Sequence, residues 1–600
     1  MTVIEKIIAN HSNKEKVSPG DIVDIEIDVR VARDFGGANV VKNLQDNDLE
    51  LDDPSKTFFT FDCNPGGSDQ KYAENQHLCR QYARKTGIRV YDVDAGVGTH
   101  LVIEKGIAYP GCTIISTDSH ANILGAIGAF GQGMGDMDTA AAWANGKLWF
   151  KVPESVKITL KGKRPKNISA KDIALNLLNI FGSNKLLGFS VEIYGEETDM
   201  FTLDERITIA SMATEMGAII ILFTPSKDVL NYCEERSGSK LELINADEDA
   251  VYVQEIELDF SSFRQMVSLP GHPHDTANIN EVKKTKIDSG FIGSCTNGRL
   301  EDMRAAAEIL NGRKIAPGVV LKIVPSTDEI WKSCLEEGLI STFKNAGALV
   351  GNAGCAGCAA GQLGQNGPGE ITISTGNRNF KGKQGKGEVY LASPANVAAS
   401  AVAGYITTRD DIPDNPAIFS VTESKIKKEK VKKDSSKDKK VVVEGNVWVI
   451  KKDDIDTDMI YHNRYLTITD KNEMGKYTFD NLEGWEDFAG KAKSGDIVIS
   501  GKNFGSGSSR QQAVDCFKSL GIQAVIAESF GAIYERNAIN AAFPILTYNN
   551  LDDLDLKDGN KVRIDFENGI ITNLENGKTG QVERFSEVQM EIYKKDGLMK

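Results

Sequence analysis

The stretch "KIDSGFIGSCTNGRLEDMRAAAEILNG" (residues 286–312) decides the fold class. A short apolar run ends at Gly293, Cys295 follows, and an alanine-rich helical pattern takes over. The same order recurs along the chain. "CTIISTDSH" (112–120), "VVLKIVPS" (319–326) and "EITISTGNRNF" (370–380) each read as a buried strand feeding a polar loop. "ANVAASAVAGYI" (395–406) reads as a helix that packs closely through alanine. Strand–helix alternation of this kind predicts α/β layers with parallel sheets, whose ligand groups gather at the carboxyl ends of strands.

Six hundred residues exceed one ordinary core, so several domains are expected. A net charge of −15 argues against a dominant nucleic-acid surface, which needs clustered Lys and Arg. No apolar run reaches membrane-spanning length. The N-terminus, "MTVIEKIIANHSNKEKVSPGD", reads as a short amphipathic helix and not a targeting signal. Nine cysteines, odd and sparse, do not make a disulfide framework and point to a reducing, cytoplasmic setting.

One boundary stands out. "TESKIKKEKVKKDSSKDKKVVVEG" (422–445) is Lys-rich and lacks an apolar period, as a solvated linker does. The expected division is 1–420, 421–444 as linker, and 445–600. The last piece runs strand, glycine loop, helix, strand through "NVWVI", "GDIVISGKNFGSGSSRQQAVDCFKSLG" and "IQAVIAESFGAI", a compact β/α domain.

Four constellations carry chemistry. In "GNAGCAGCAAG" (351–361), Cys355 and Cys358 have a Cys-x-x-Cys spacing that suits a redox disulfide, half a zinc site, or part of an iron–sulfur site. Cys295, at a strand end and a helix start, bears on the choice. Zinc wants a fourth Cys or His, and a disulfide gives Cys295 no role. Three thiolates suit an iron–sulfur cluster with one iron left open as a Lewis acid. The scattered remaining cysteines read as small buried hydrophobes. Second, His100 and the Asp118-Ser119-His120 triplet put imidazoles beside a carboxylate, on loops after apolar strands, as a proton relay requires. The nearby "GQGMG" lacks the phosphate-loop lysine and reads as close backbone packing. Third, Arg378, Lys383 and Lys386 among glycines suit either a clamp on substrate carboxylates or a solvated turn. Fourth, "GSGSSRQQAV" (505–514) sets Ser508, Ser509 and Arg510 at a helix start, as helix caps, as a serine base beside a cation, or as both.

Taken together, "TDSH", "GSCTN", "GCAGC", "NRNF" and "GSGSSR" resemble, in order and approximate spacing over nearly the whole chain, the aconitase superfamily. The resemblance implies three α/β/α domains around a 4Fe-4S cluster with one open iron, the ligands lying in about 285–410, and a C-terminal swivelling β/α domain that supplies the catalytic serine. It matches Cys295, Cys355 and Cys358 to the cluster ligands. His100, Asp118, His120 and Glu215 (in "SMATEMGA") match active-site residues, as does Asp458 (in "DDIDTDMIYHNRYL"). Arg378 matches a substrate-binding arginine, Ser508 the catalytic base and Arg510 its neighbour; Ser509 lies between them.

The implied reaction is reversible dehydration and rehydration of a hydroxy di- or tricarboxylic acid. Ser508 would remove the α proton, and His100 with Asp118 or Glu215 would handle the leaving-group proton. Three departures are visible. Asp62-Cys63 replaces the usual Asp-His, Lys383 replaces a second arginine, and Gln511-Gln512 replaces Glu-His.

Local sequence around Cys295 and Lys383 resembles the isopropylmalate/homoaconitate branch, here with large and small units fused. The loop after "RYL", which tunes specificity in related small subunits, reads "RYLTITD". Uncharged Thr467 and Ile468 suit an alkyl substituent, because a third carboxylate would enter without a partner. The expected substrate is therefore 3-isopropylmalate or a related alkylmalate. Arg464, able to reach a carboxylate, keeps citrate and homoaconitate as alternatives. An iron-sensing RNA-binding protein is the alternative of another class. A monomer or small homo-oligomer, with neither membrane nor nucleic acid as partner, is the expected state.

Overall fold

A computed structural model describes residues 1–34, 36–64, 69–356, 363–417, 439–508 and 510–598. Cys358, Ser509 and residues 418–438, which include most of the Lys-rich stretch, lie outside the described residues. The chain divides into two units, Met1–Thr422 and Glu423–Lys600. Among the described residues no helix is long and apolar enough to cross a membrane.

Three larger sheets build the first unit. One is five-stranded and wholly parallel, in the order Arg89–Tyr91, Thr57–Thr60, Val29–Arg33, Thr113–Ser116, Phe130–Gly133. The chain winds outward from the central strand Val29–Arg33 in one direction, then returns to build the other side. That reversal leaves a crevice at the carboxyl ends of Val29–Arg33 and Thr113–Ser116.

A seven-stranded sheet repeats the scheme. Its strands Glu388–Leu391, Ile371–Ser374, Ser289–Ile292, Val320–Ile323 and Leu349–Val350 are parallel, and two short antiparallel strands extend one edge. Here the reversal falls between Ser289–Ile292 and Ile371–Ser374. The alanine-rich helices Leu300–Leu310 and Pro394–Ala403 pack on each other against this sheet, as their small side chains allow. A four-stranded parallel sheet, Ile220–Leu222, Ser190–Tyr194, Ser155–Lys161, Gln254–Asp259, shares one core with the five-stranded sheet.

The second unit has one seven-stranded sheet, parallel over Ile545–Thr547, Ala524–Ala527, Ile497–Ser500 and Val442–Ile450, antiparallel beyond. The strand Val442–Ile450 pairs from its first residue with Asp565. β-branched Val442 and Val443 therefore belong to the sheet, and the linker read to residue 444 ends earlier.

Candidate active site

The cysteine motif forms in stages. Strand Ser289–Ile292 ends at Gly293, whose φ of +152° only glycine accepts readily; a Cβ there would also lie 2.6 Å from the Val324 carbonyl. The chain then turns through a separate helical segment, Ser294–Asn297, which carries Cys295. The expected placement of Cys295 at the start of the alanine-rich helix is corrected by this turn, because Gly298 and Arg299 separate the two. Cys295 is 1% exposed and Cys355 5%. Cys295 Sγ lies 3.5 Å from Asn377 Oδ1. The Cys355 backbone N–H donates to the Asp62 carbonyl at 2.9 Å.

His100 sits on the helix Gly98–Glu104, not on a loop as read from sequence. Its Nε2 lies 2.9 Å from the Cys295 carbonyl oxygen, tying that helix to the cysteine turn. Burial, then the nearby Arg299 guanidinium, pushes His100 down to about 3, so its imidazole is neutral at ordinary pH. No carboxylate among the described residues hydrogen-bonds it. The expected pairing of His100 with Asp118 or Glu215 is replaced by a different chain of contacts.

That chain runs through His120. Strand Thr113–Ser116 ends in the turn that carries Asp118, whose Oδ1 accepts the His120 N–H at 3.0 Å. His120 Nε2 lies 3.2 Å from Glu215 Oε1, and Arg378 Nε donates to the same oxygen at 2.7 Å. Burial raises the Glu215 carboxyl, but His120 and then Arg378 outweigh it and hold the group below its ordinary value of 4.5. Breaking such a buried pair from one side costs about 3–5 kcal/mol. Two glycines of "GQGMG" do serve close packing: a Cβ on Gly131 would come 2.1 Å from the Ala121 carbonyl and one on Gly133 2.7 Å from the Asp118 carbonyl. Buried Lys171 donates to the Thr375 and Gly376 carbonyls at 3.1 and 2.8 Å, holding the strand end that presents Asn377 and Arg378. Lys383 is half-buried and Lys386 exposed, and neither is joined to the His120–Glu215–Arg378 chain by any contact among the described residues.

Arg33 was not singled out by the sequence. It ends a strand on which every residue is buried, and no local sequence pattern marks it. Its Nε donates to Asp62 Oδ1 at 2.6 Å, and its Nη1 lies 3.1 Å from Asp118 Oδ1. Asp62 Oδ2 in turn accepts the Gly98 N–H at 2.8 Å. Burial lifts the Asp62 carboxyl to about 7 against the pull of Arg33. Cys63, at the position of a departure from the family pattern, is buried, and burial pushes its thiol up. Asp34, Asp62 and Cys63 place ligand atoms within 4.8 Å of one another. Their oxygens are already taken: Asp34 accepts from the Cys63 and Asn64 N–H groups and from Gln76 Nε2, and Asp62 from Arg33 and Gly98. A cation there would have to displace these donors.

Do the residues fit an iron–sulfur cluster? Two soft, buried sulfur donors, Cys295 and Cys355, come from segments that follow strands of one sheet. Beside them, His100 Nδ1, on the ring that contacts the Cys295 carbonyl, and Asn297 Oδ1, two residues after Cys295, are buried and lack a hydrogen-bond partner among the described residues. Buried polar atoms without partners are rare unless a ligand or solvent completes them. Sulfur donors beside unfilled polar valences suit a thiolate-held cluster with a polar ligand next to it.

In the second unit, Gly505 and Gly507 adopt φ of +76° and +93°, and a Cβ on Gly505 would lie 2.2 Å from the Tyr534 ring. This glycine loop leads to exposed Ser508. The following helix, Gln512–Leu520, has Gln511 at its N-cap with no side-chain cap bond, so the capping role expected for Ser508 is not realised. The Ser508 carbonyl accepts Thr457 Oγ1 at 3.2 Å. Arg510 grips Asp458 through two nitrogens, at 2.5 and 2.6 Å, and its hydrogen bonds hold the Asp458 carboxyl below the usual carboxylate range. Arg510 Nε is buried and without a partner among the described residues. Arg464, expected to be able to reach substrate, donates instead to Asp480 at 2.7 Å and covers the Tyr465 ring at 4.8 Å. Thr467 is exposed.

Comparison with known proteins gives this geometry a context. The profile of the Aconitase family (aconitate hydratase) matches residues 5–404, and that of the Aconitase C-terminal domain matches residues 420–550. The chain belongs to the aconitase family. A probable 3-isopropylmalate dehydratase large subunit of Methanothermobacter thermautotrophicus is 39% identical over 68% of this chain and 98% of its own length. The homoaconitase large subunit of Thermus thermophilus is 37% identical over 69% and 98% respectively. A protein named mitochondrial homoaconitase, from Debaryomyces hansenii, is 33% identical over 90% of this chain and 83% of its own length. This aconitase-family chain is a hydro-lyase with the large- and small-unit regions fused, as in that last relative.

Proposed function

We propose that this hydro-lyase interconverts alkyl-substituted hydroxy dicarboxylic acids, 3-isopropylmalate or a near analogue, by dehydration and rehydration. The observation that carries the substrate class is the Arg464–Asp480 ion pair at 2.7 Å. The cation of the "RYLTITD" stretch is committed within its own unit, and Thr467 and Ile468 offer no charge to a third carboxylate. An unpaired carboxylate is costly to desolvate, whereas an alkyl group is not. The likeness, over 90% of this chain, to the protein named homoaconitase favours homoaconitate as the second reading.

In this reading Cys295, Cys355 and Cys358 would hold a 4Fe-4S cluster, which supplies Lewis acidity toward the leaving hydroxyl. Ser508 acts as the base that takes the proton α to a substrate carboxylate. Arg510 stabilises its anionic form and is oriented by Asp458. Arg378 binds carboxylate while fixing Glu215. The ionised Glu215 orients His120, and His120 moves the leaving-group proton, with Asp118 setting its backbone. His100, neutral and bound to the Cys295 carbonyl, keeps the cysteine turn in place.

The test is anaerobic cluster reconstitution followed by ultraviolet assay of the unsaturated acid from 3-isopropylmalate, 2,3-dimethylmalate, citrate and homocitrate. The alkylmalates should lead in kcat/KM by about 10–200-fold, the discrimination a shaped apolar pocket gives. Faster turnover of citrate or homocitrate would reject the alkylmalate assignment.

A further inference from the structure

One buried charge cluster of the first unit centres on a residue for which the proposed mechanism has no use. Arg33 closes the central strand of the five-stranded sheet. Its neighbours are parallel on both sides, with Arg33 level with Thr60 and Val31 level with Ser116. Two residues beyond Thr60 stands Asp62, and two beyond Ser116 stands Asp118. One side chain from the middle strand therefore reaches both. Arg33 Nε takes Asp62 and Nη1 takes Asp118, while its own backbone N–H donates to Thr117 Oγ1 at 2.9 Å. Its third edge, Nη2, is buried and without a partner among the described residues, so the two carboxylates fix the orientation of the fork.

What each carboxylate does next gives the fork its meaning. Asp62 receives the Gly98 N–H that starts the His100 helix, and its carbonyl receives the Cys355 N–H. Asp118 receives the His120 N–H, and His120 leads to Glu215 and Arg378. The cysteine loop and the proton-handling groups thus meet at one guanidinium. A lysine could balance the charge but could not present two rigid donors to two separate carboxylates.

We propose that Arg33 is a positioning residue for the dehydration: its fork, spanning Asp62 and Asp118, holds the His120–Glu215–Arg378 chain in register with the Cys355 loop. This role rests on the hydro-lyase mechanism proposed above. The test compares reconstituted wild type with Arg33→Lys, which keeps the charge without the fork, and with Arg33→Gln. Iron per chain, kcat and KM are measured separately, with hydrogen–deuterium exchange of the segments 113–121 and 351–356.

Arg33→Lys should retain iron, exchange faster in both segments, and lose about 10²-fold in kcat, the cost of misplacing reacting groups by about 1 Å. KM should change little. An unchanged kcat overturns the proposal, and so does a raised KM at constant kcat, which would make Arg33 a direct substrate ligand. Faster exchange in only one segment also overturns it, since the coupling would be absent. If Arg33→Gln does not accumulate folded, Arg33→Lys decides alone. If wild type dehydrates none of the acids, the substrate reading falls separately. Exchange in Arg33→Lys then still decides whether the fork couples the two segments.

Discussion

The two units treat their functional side chains in opposite ways. In the first, Glu215, His120, Asp118 and Arg33 are buried, and each is fixed by a partner from a different strand end or helix. In the second, Ser508 is exposed on a glycine loop, and the Asp458–Arg510 fork beside it is anchored on one side chain 9% exposed and another 38% exposed. A buried, mutually bonded set is rigid and expensive to disturb. An exposed hydroxyl on a loop contributes little to holding anything together. The first unit therefore holds a rigid, mutually bonded set, and the second presents an exposed hydroxyl on a loop.

The sharpest way to break this division is to remove one group from each side. Cys295→Ser should abolish both iron retention and turnover, read as iron per purified chain and as initial rate. Ser508→Ala should leave iron content unchanged while kcat drops by about 10²–10⁴-fold, the usual worth of a positioned base. If Ser508→Ala also lost iron, the division of labour would be wrong. Next in size, Glu215→Gln keeps the shape of the side chain but not its charge. It should cost about 10–100-fold in kcat, as losses of orienting partners do, with iron retained. A rate equal to wild type would remove the His120–Glu215 pair from the reaction.

How much of this was legible in the sequence follows the range of the interactions. The strand that ends before Cys295 and the alanine faces of Leu300–Leu310 and Pro394–Ala403 are local patterns and formed as read, whereas the short helical turn that carries Cys295 is too brief to show a period. "TDSH" was recognisable because Asp118 and His120 are two residues apart. Arg33 was invisible: its partners lie 29 and 85 positions along the chain and become neighbours only when three parallel strands align. His100 reads as a loop residue because seven helical residues between Val97 and Lys105 give too short a period to recognise. Ser508 reads from the sequence as a cap, a base or both, because a serine before a helical pattern suits either role. The positive-φ glycines at 505 and 507 instead delay the helix to Gln512, which frees the hydroxyl.

The smallest expected effect separates the two units by pH and salt. Glu215 has a folded value below its ordinary 4.5, so its ionised pairing adds stability that is complete above 4.5 and is lost as pH falls through the depressed value. Asp458 is depressed in the same direction, its largest cause being the Arg510 hydrogen bonds. Its carboxylate, however, is 38% exposed, against 2% for Glu215. Raising salt from about 0.15 M to about 1 M shortens the screening length from about 8 Å to about 3 Å, which weakens exposed pairs and spares buried ones. Urea unfolding of the chain and of Glu215→Gln and Asp458→Asn, across the acid range at both salt levels, gives the contrast. The stability difference between wild type and Glu215→Gln should shrink on acidification yet stay constant with salt. The Asp458→Asn difference should shrink with both. If salt reduced the two differences alike, the His120–Glu215–Arg378 chain would be open to solvent, and its orienting role would lose the rigidity that burial gives it.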